Sequence, residues 1–229
     1  MRVGETPITQ PAAPVDETTP VAVDAAATRY VGRAGHKLAA ALDGFGIDVV
    51  GKRALDVGAS TGGFTDCLLE RGAIEVVAVD VGRNQLHPEL RADRRVVSHE
   101  ATDIRSLDPT AAGGPFPVVV VDVSFISLQL LAPHLARFVA PGGDMVVLVK
   151  PQFEAGPGHH TKRGVVGDQA VRAASVGAVM AAFATAGMVA AGAADSPLTG
   201  AAGNRELLLW LQPANGAGDR GDMASGSPA

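Results

Sequence analysis

Apolar residues in this chain gather into short unbroken runs. Residues 117–121 and 145–149 hold only proline, valine, leucine and methionine. A strand with one wet face alternates apolar and polar positions. A strand covered on both faces does not, so runs like these mark the interior of a parallel sheet. The segments 53–57, 75–79, 95–98, 188–193 and 206–211 complete the expected strands. Between them the period lengthens. Over 35–45, Leu38, Ala41, Leu42 and Phe45 share one helical face. Further helices are expected at 63–71, 127–139 and 169–186, with a short helical piece near 85–91. Gly187 is placed to end the longest as its C′ residue. Strands alternating with helices predict an α/β fold, a doubly wound and mostly parallel sheet with helices on both faces.

The ends of the chain lack either period. Residues 1–28 are rich in Pro, Ala, Thr, Val and acids, and 213–229 in Gly, Ser, Asp and Pro. Both are expected to be disordered, an arm and a tail around one globular unit at 29–212. The stretch 151–168 is long for a loop in a compact domain, a property of functional or mobile loops.

Two of the apolar runs end in charge. Residues 117–121 stop at Asp122, and 145–149 stop at Lys150. Ligands of open parallel sheets bind beyond the carboxyl ends of the strands, so both side chains stand where chemistry is expected. The plainer alternative is an ion pair capping two strand ends. A third feature favours a site. Asp56-Val57-Gly58-Ala59-Ser60-Thr61-Gly62-Gly63-Phe64 takes a strand through a glycine-rich turn into a helix, and the next strand ends in Asp80. Glycines let backbone approach a ligand, and the turn aims helix-start N–H groups at it. An acid about twenty residues on is placed to accept hydrogen bonds from ribose hydroxyls. The spacing is not that of the dinucleotide fingerprint. It points to a nucleoside-containing cofactor.

Composition narrows the class. Of 229 residues, 47% are hydrophobic but only 4% aromatic, so Ala, Val and Leu must fill the core. The single cysteine, Cys67, excludes a disulfide within the chain and a cysteine zinc site; it falls in the apolar phase of its helix and reads as core. His159 and His160 lie in the long loop with no further ligands at metal spacing, and no metal is expected. There is no apolar window of transmembrane length and no signal-peptide pattern, which makes a cytoplasmic protein without a membrane partner the expectation. The net charge of −5 gives no support to a broadly basic nucleic-acid surface. Arg29, Arg33, His36 and Lys37 form a local basic patch, and Lys162 and Arg163 add charge to the long loop.

Five segments taken together carry a resemblance. They are Tyr30-Val31-Gly32-Arg33-Ala34-Gly35-His36-Lys37-Leu38, the turn 56–64 with Thr65-Asp66-Cys67-Leu68-Leu69, Asp122-Val123-Ser124-Phe125-Ile126-Ser127-Leu128, Leu148-Val149-Lys150-Pro151-Gln152-Phe153-Glu154 and Gly203-Asn204-Arg205-Glu206. In this order they resemble the TlyA/hemolysin A family of FtsJ-like methyltransferases. The resemblance implies a Rossmann-like fold of seven strands, S-adenosylmethionine as cofactor and the ribose 2′-hydroxyl of ribosomal RNA, or a ribosomal subunit, as acceptor. It implies a catalytic tetrad at Lys37, Asp122, Lys150 and Glu206. It also implies cofactor contacts at Asp56, Gly58, Ser60, Gly62, Gly63, Phe64, Asp80 and Asp103, with Arg29 and Arg33 toward the substrate. Asp103 also suits a helix N-cap.

The departures from the family pattern face the substrate. Members usually begin with a small RNA-binding domain, where this chain has only its arm. Ala34-Gly35-His36-Lys37 replaces a usual Gly-Gly-Glu-Lys, Asp103 a usual Asn, Gly167 a common Arg, and Ala201-Ala202 a usual Pro-Glu. These leave a second expectation open, a methyltransferase for a small molecule or peptide in a biosynthetic pathway. A third, a membrane-active hemolysin without catalysis, is opposed by the lack of a spanning segment and of a strongly basic amphipathic helix.

Overall fold

The computed structural model describes residues 2–3, 6–7, 21–22, 29–156, 158–159, 161, 164–200 and 202–214. Within the arm, β1 (Arg2–Val3) pairs antiparallel with β2 (Thr6–Pro7) and with β3 (Val21–Ala22). These pairs are regular structure where an irregular arm is expected. The expected tail lies outside the described residues from 215 onward.

The remaining elements follow the alternating pattern. α1 (Ala34–Phe45), β4 (Arg53–Val57), α2 (Gly63–Glu70), β5 (Glu75–Val79), α3 (Pro88–Ala92) and β6 (Val96–His99) form the first half. β7 (Phe116–Val121), α4 (Leu128–Leu135), β8 (Val139–Val149), α5 (Pro151–Glu154), α6 (Gln169–Thr185), β9 (Met188–Asp195) and β10 (Leu207–Pro213) form the second. They build one seven-stranded sheet in the order β6-β5-β4-β7-β8-β10-β9. β4 to β8 are mutually parallel, and β10 runs antiparallel to both its neighbours.

The unbroken apolar runs have a direct cause. Successive side chains of a strand point to opposite faces. Val119, Val121, Met145 and Val147 face one core, with Leu131 and Leu135 of α4 and Val179 and Phe183 of α6. Val118, Val120, Val146 and Leu148 face a second core, with Leu38 and Leu42 of α1 and Phe64 and Leu68 of α2. Helices cover both faces, so neither set can be polar. Cys67 lies fully buried in the second core.

Element ends differ from expectation where local chemistry intervenes. α4 stops at Leu135 and passes into a 3₁₀ turn, 136–138, instead of running on to 139. β8 starts five residues ahead of the expected strand 144–149, because Phe116 pairs with Val139 ahead of an irregularity that lets Pro141 through. Gly187 follows α6 at φ +80°, the left-handed C′ position expected of it. The expected loop 151–168 opens with the helical turn α5, started by Pro151, whose fixed φ suits a first helical position. Asp144 anchors β10 to β8 by accepting from Trp210 Nε1 at 3.0 Å and Gln212 Nε2 at 2.8 Å.

Candidate active site

β4, β5, β7 and β8 bring their carboxyl ends to one edge of the sheet. β4 leaves it through Gly58 at φ +83°. A Cβ there would sit 2.5 Å from the Asp122 carbonyl oxygen, so only glycine lets the ends of β4 and β7 close this tightly. Asp80, at the end of β5, accepts from the backbone N–H of Ser60 at 2.8 Å and of Gly82 at 2.6 Å. Those bonds fix its carboxylate at the rim of a cavity of about 520 Å³. Gly58, Ser60 and Asp80 form one wall and Asp103 another, over an apolar floor of Val79, Ile104 and Leu131. Arg105 grips Asp103 with Nε at 3.0 Å and Nη2 at 2.5 Å, and this hydrogen bonding holds the Asp103 carboxyl below its usual value. Asp103 also accepts from the Arg105 N–H at 2.9 Å, but residues 104–106 form a turn and not a helix, so it closes a turn where a helix N-cap was the alternative expectation. A nucleoside suits this lining: two carboxylates for ribose hydroxyls and an exocyclic amine, and an apolar floor for a flat ring.

A second cavity, about 280 Å³, shares Gly58, Ser60, Asp122 and Ser124 with the first. Lys37, Lys150, Arg33, Gly63 and Phe64 also line it. Lys150 Nζ lies 2.6 Å from Asp122 Oδ1 and donates to Ser124 Oγ at 2.8 Å. Lys37 Nζ lies 2.5 Å from Glu206 Oε2, and the Glu206 side chain is only 2% exposed. The antiparallel direction of β10 explains that partner. Leu207 pairs with Val149, so the residue before β10 arrives beside the residue after β8. Four charged residues from distant parts of the chain thus stand as two ion pairs, with both lysines on one cavity wall.

Three expected residues stand elsewhere. Asp56 is fully buried behind the glycine turn, lines neither cavity, and accepts from Thr65 Oγ at 2.7 Å. Burial pushes its carboxyl up to about 7, with the Thr65 hydrogen bond opposing. Gly62, at φ +99°, faces Leu86 and Leu90, where a Cβ would meet Leu90 Cδ1 at 2.2 Å. Arg29 pairs with Glu70 and lies over the Tyr30 ring, on neither cavity wall. His160, Lys162 and Arg163 lie outside the described residues. Among the described residues no cluster of His, Cys, Asp and Glu is arranged to hold a metal ion, and no helix is long and apolar enough to cross a membrane.

The structure adds residues that the sequence reading missed. Ser124 lines both cavities and Gln85 the first. Phe125 is 92% exposed at φ +66°, its ring centroid 5.2 Å from that of Phe153. A phenylalanine just beyond Asp122, in a loop with no apolar period, was the available signal.

The model of the family described as FtsJ-like methyltransferase matches residues 30–213. The chain belongs to the FtsJ-like methyltransferases. Its relatives within that family are of the TlyA/hemolysin A type. The 16S/23S rRNA (cytidine-2′-O)-methyltransferase TlyA of Mycobacterium tuberculosis is 47% identical over 213 residues, 93% of this chain and 80% of the relative. That alignment is too long to fit within 30–229, so it takes in part of the arm. Hemolysin A of Brachyspira hyodysenteriae is 43% identical over 181 residues, 79% of this chain and 75% of the relative. Among solved structures, a "putative hemolysin" from Streptococcus thermophilus matches with a TM-score of 0.79 and 42% identity, covering 82% of this chain and 68% of the other. An S-adenosylmethionine dependent methyltransferase from Mesorhizobium loti, 18% identical with a TM-score of 0.57, shares the fold.

Proposed function

We propose that this FtsJ-like methyltransferase moves a methyl group from S-adenosylmethionine to a ribose 2′-hydroxyl of ribosomal RNA, with a cytidine as the acceptor nucleotide. The observation that carries the reading is the meeting of the Lys150–Asp122 and Lys37–Glu206 pairs at a cavity continuous with a nucleoside-sized one. The names of the relatives support the acceptor.

Asp80 receives the cofactor's ribose hydroxyls and Asp103 its adenine amine, while Gly58, Ser60 and Gly63 let its methionine portion pass close to backbone. Bound S-adenosylmethionine supplies a methyl already activated on sulfur. What remains for the protein is to hold a poor nucleophile in line and manage one proton. An ammonium carries three donors. Lys150 commits one to Ser124 and lies 2.6 Å from Asp122 as an ion pair, which leaves a donor for the acceptor oxygen. Asp122 fixes the amine in place, and Lys37, itself fixed by Glu206, adds a second positive charge beside the acceptor oxygen, whose proton leaves to Lys150 where that is a neutral amine, or to water where Lys150 stays charged. Phe125, exposed on the lining of the first cavity and packed against the half-buried Phe153, offers an aromatic face to an unstacked base.

The test uses purified chain, labelled S-adenosylmethionine, intact ribosomal subunits, naked ribosomal RNA and a small-molecule extract. Label should appear in a subunit, and nuclease digestion should recover it as 2′-O-methylcytidine. Label confined to the small-molecule fraction would overturn the acceptor while leaving the methyltransferase.

A further inference from the structure

One carboxylate next to the site belongs to neither ion pair, yet it links the two segments that carry Asp122 and Lys150. Glu154 closes α5, the single turn that starts right after Lys150. Its Oε1 accepts from the Leu128 backbone N–H at 2.8 Å. Its Oε2 accepts from the Ser127 hydroxyl at 2.6 Å and from Gln129 Nε2 at 3.1 Å. Ser127 is itself the N-cap of α4, accepting from the Gln129 N–H at 3.1 Å. Four residues separate Asp122 from Ser127, and Phe125 among them holds φ +66°, a left-handed angle unfavourable to an aromatic residue. Such strain persists only where the surroundings fix it. Lys150 holds Ser124 in the middle of that loop, and Glu154 pins its far end to the segment bearing Lys150. α5 is equally short: the Phe153 N–H donates back to the Lys150 carbonyl at 2.9 Å. Asp122 and Lys150 are therefore joined three ways: directly, through Ser124, and through Ser127 and Glu154.

The geometry points to Glu154 as a positioning residue. It holds the loop 123–127 against α5 and so sets both the Asp122–Lys150 contact and the Phe125–Phe153 pair. It explains why the Asp122-to-Leu128 and Lys150-to-Glu154 strings occur together: the last residue of one caps the helix that the other begins. Glu154 lines neither cavity, so it acts through the residues it holds. The cofactor contacts at Gly58, Ser60 and Asp80 stand after β4 and β5, away from it, and residues 123–126 of the loop complete the lining of that cavity.

This inference rests on the reaction proposed above, and the experiment separates the two. Wild type, Glu154→Gln and Glu154→Ala are compared for turnover on ribosomal subunits and for S-adenosylmethionine affinity by calorimetry. Glu154→Ala should lose roughly 10- to 100-fold in kcat, the scale of a small misplacement of reacting groups, with cofactor Kd within about threefold of wild type. Glu154→Gln keeps a carbonyl acceptor for the Leu128 N–H and should recover most of the turnover. Turnover of Glu154→Ala within threefold of wild type would overturn the role. So would a Gln variant as poor as Ala, which would make the charge itself catalytic, or a loss of cofactor affinity parallel to the loss of kcat. If the wild type methylates no ribosomal substrate, the proposed reaction fails, and amide hydrogen exchange decides the brace alone. The Leu128 N–H should exchange faster in Glu154→Ala, or in Glu154→Met, which fills the space without an acceptor, if the Ala variant does not fold; unchanged exchange would sink it.

Discussion

Lys150 is held by two acceptors and lines the cavity through its amine, so its substitutions separate two mechanisms. Lys150→Ala should lower methyl transfer by roughly 10²–10⁴-fold, the range for a group that handles a proton in the transition state, with cofactor affinity nearly unchanged. Lys150→Arg keeps the charge but cannot give up its proton. An Arg variant as inactive as Ala makes Lys150 a base; one with substantial activity makes it a fixed charge beside the alkoxide. An Ala variant at the wild-type rate would remove Lys150 from the chemistry. Asp56 calls for a different measurement, because it contacts no cavity and its effect is on stability. Its carboxyl stands near 7 when folded against an ordinary 3.8. The folded state holds the proton more tightly, so this contribution is complete below about pH 4 and is lost as pH rises through 7. Above that, a buried charge opposes folding. Asp56→Asn keeps an acceptor for the Thr65 hydroxyl and removes the charge. In denaturant unfolding of the free protein it should match wild type near pH 4.5 and exceed it at pH 8 by on the order of 2–4 kcal/mol. A difference that does not change with pH would mean the carboxylate has a partner when folded.

Among the elements, the turn after β4 carries the closest approach of backbone to backbone at the site. Gly58 and Gly46 both sit in the left-handed region, at φ +83° and +66°, but a Cβ on Gly46 meets nothing within 4 Å. Gly46→Ala should therefore cost only the backbone term, about 1–2 kcal/mol. Gly58→Ala adds a clash with the Asp122 carbonyl, which must move β4 from β7 and disturb both cavities at once. Thermal unfolding and cofactor calorimetry should show Gly58→Ala as the less stable variant and the one that loses cofactor binding. Equal behaviour of the two would mean the turn tolerates a side chain. This turn was legible in the sequence because its glycines follow a strand and precede a helix, and Asp122 and Lys150 because each ends an apolar run. Glu206 was not. It precedes a strand, and at the carboxyl edge of a parallel sheet a strand's first residue is at the wrong end. Only the reversal of β10, which apolar composition does not encode, brings it across from Lys150. Lys37, on a helix ahead of the first sheet strand, carries no local mark either; both came from the resemblance alone. Arg29 and Arg33 looked alike in sequence, and a partner forty residues away, Glu70, separates them.

At the scale of the whole molecule the charge is −5, so attraction to RNA depends on the few cations at the mouth of the site. Each phosphate contact releases counterions and steepens the fall of affinity with salt, by a slope of about −0.7 to −0.9 per contact. Arg33 is exposed, lines the acceptor cavity and stands in none of the ion pairs among the described residues. Arg29 is equally basic but its guanidinium is engaged by Glu70. Arg33→Ala should therefore weaken binding to the methylated subunit and reduce the magnitude of the salt slope by about one, while Arg29→Ala leaves the slope nearly unchanged. Filter binding over a salt series, with both variants and wild type, reads this directly. Equal loss of slope in both would mean the Glu70 pair opens on RNA and the whole basic patch takes part. No loss in either would place phosphate recognition away from this mouth, and the acceptor would then be held by stacking on Phe125 and Phe153 without charge from Arg33.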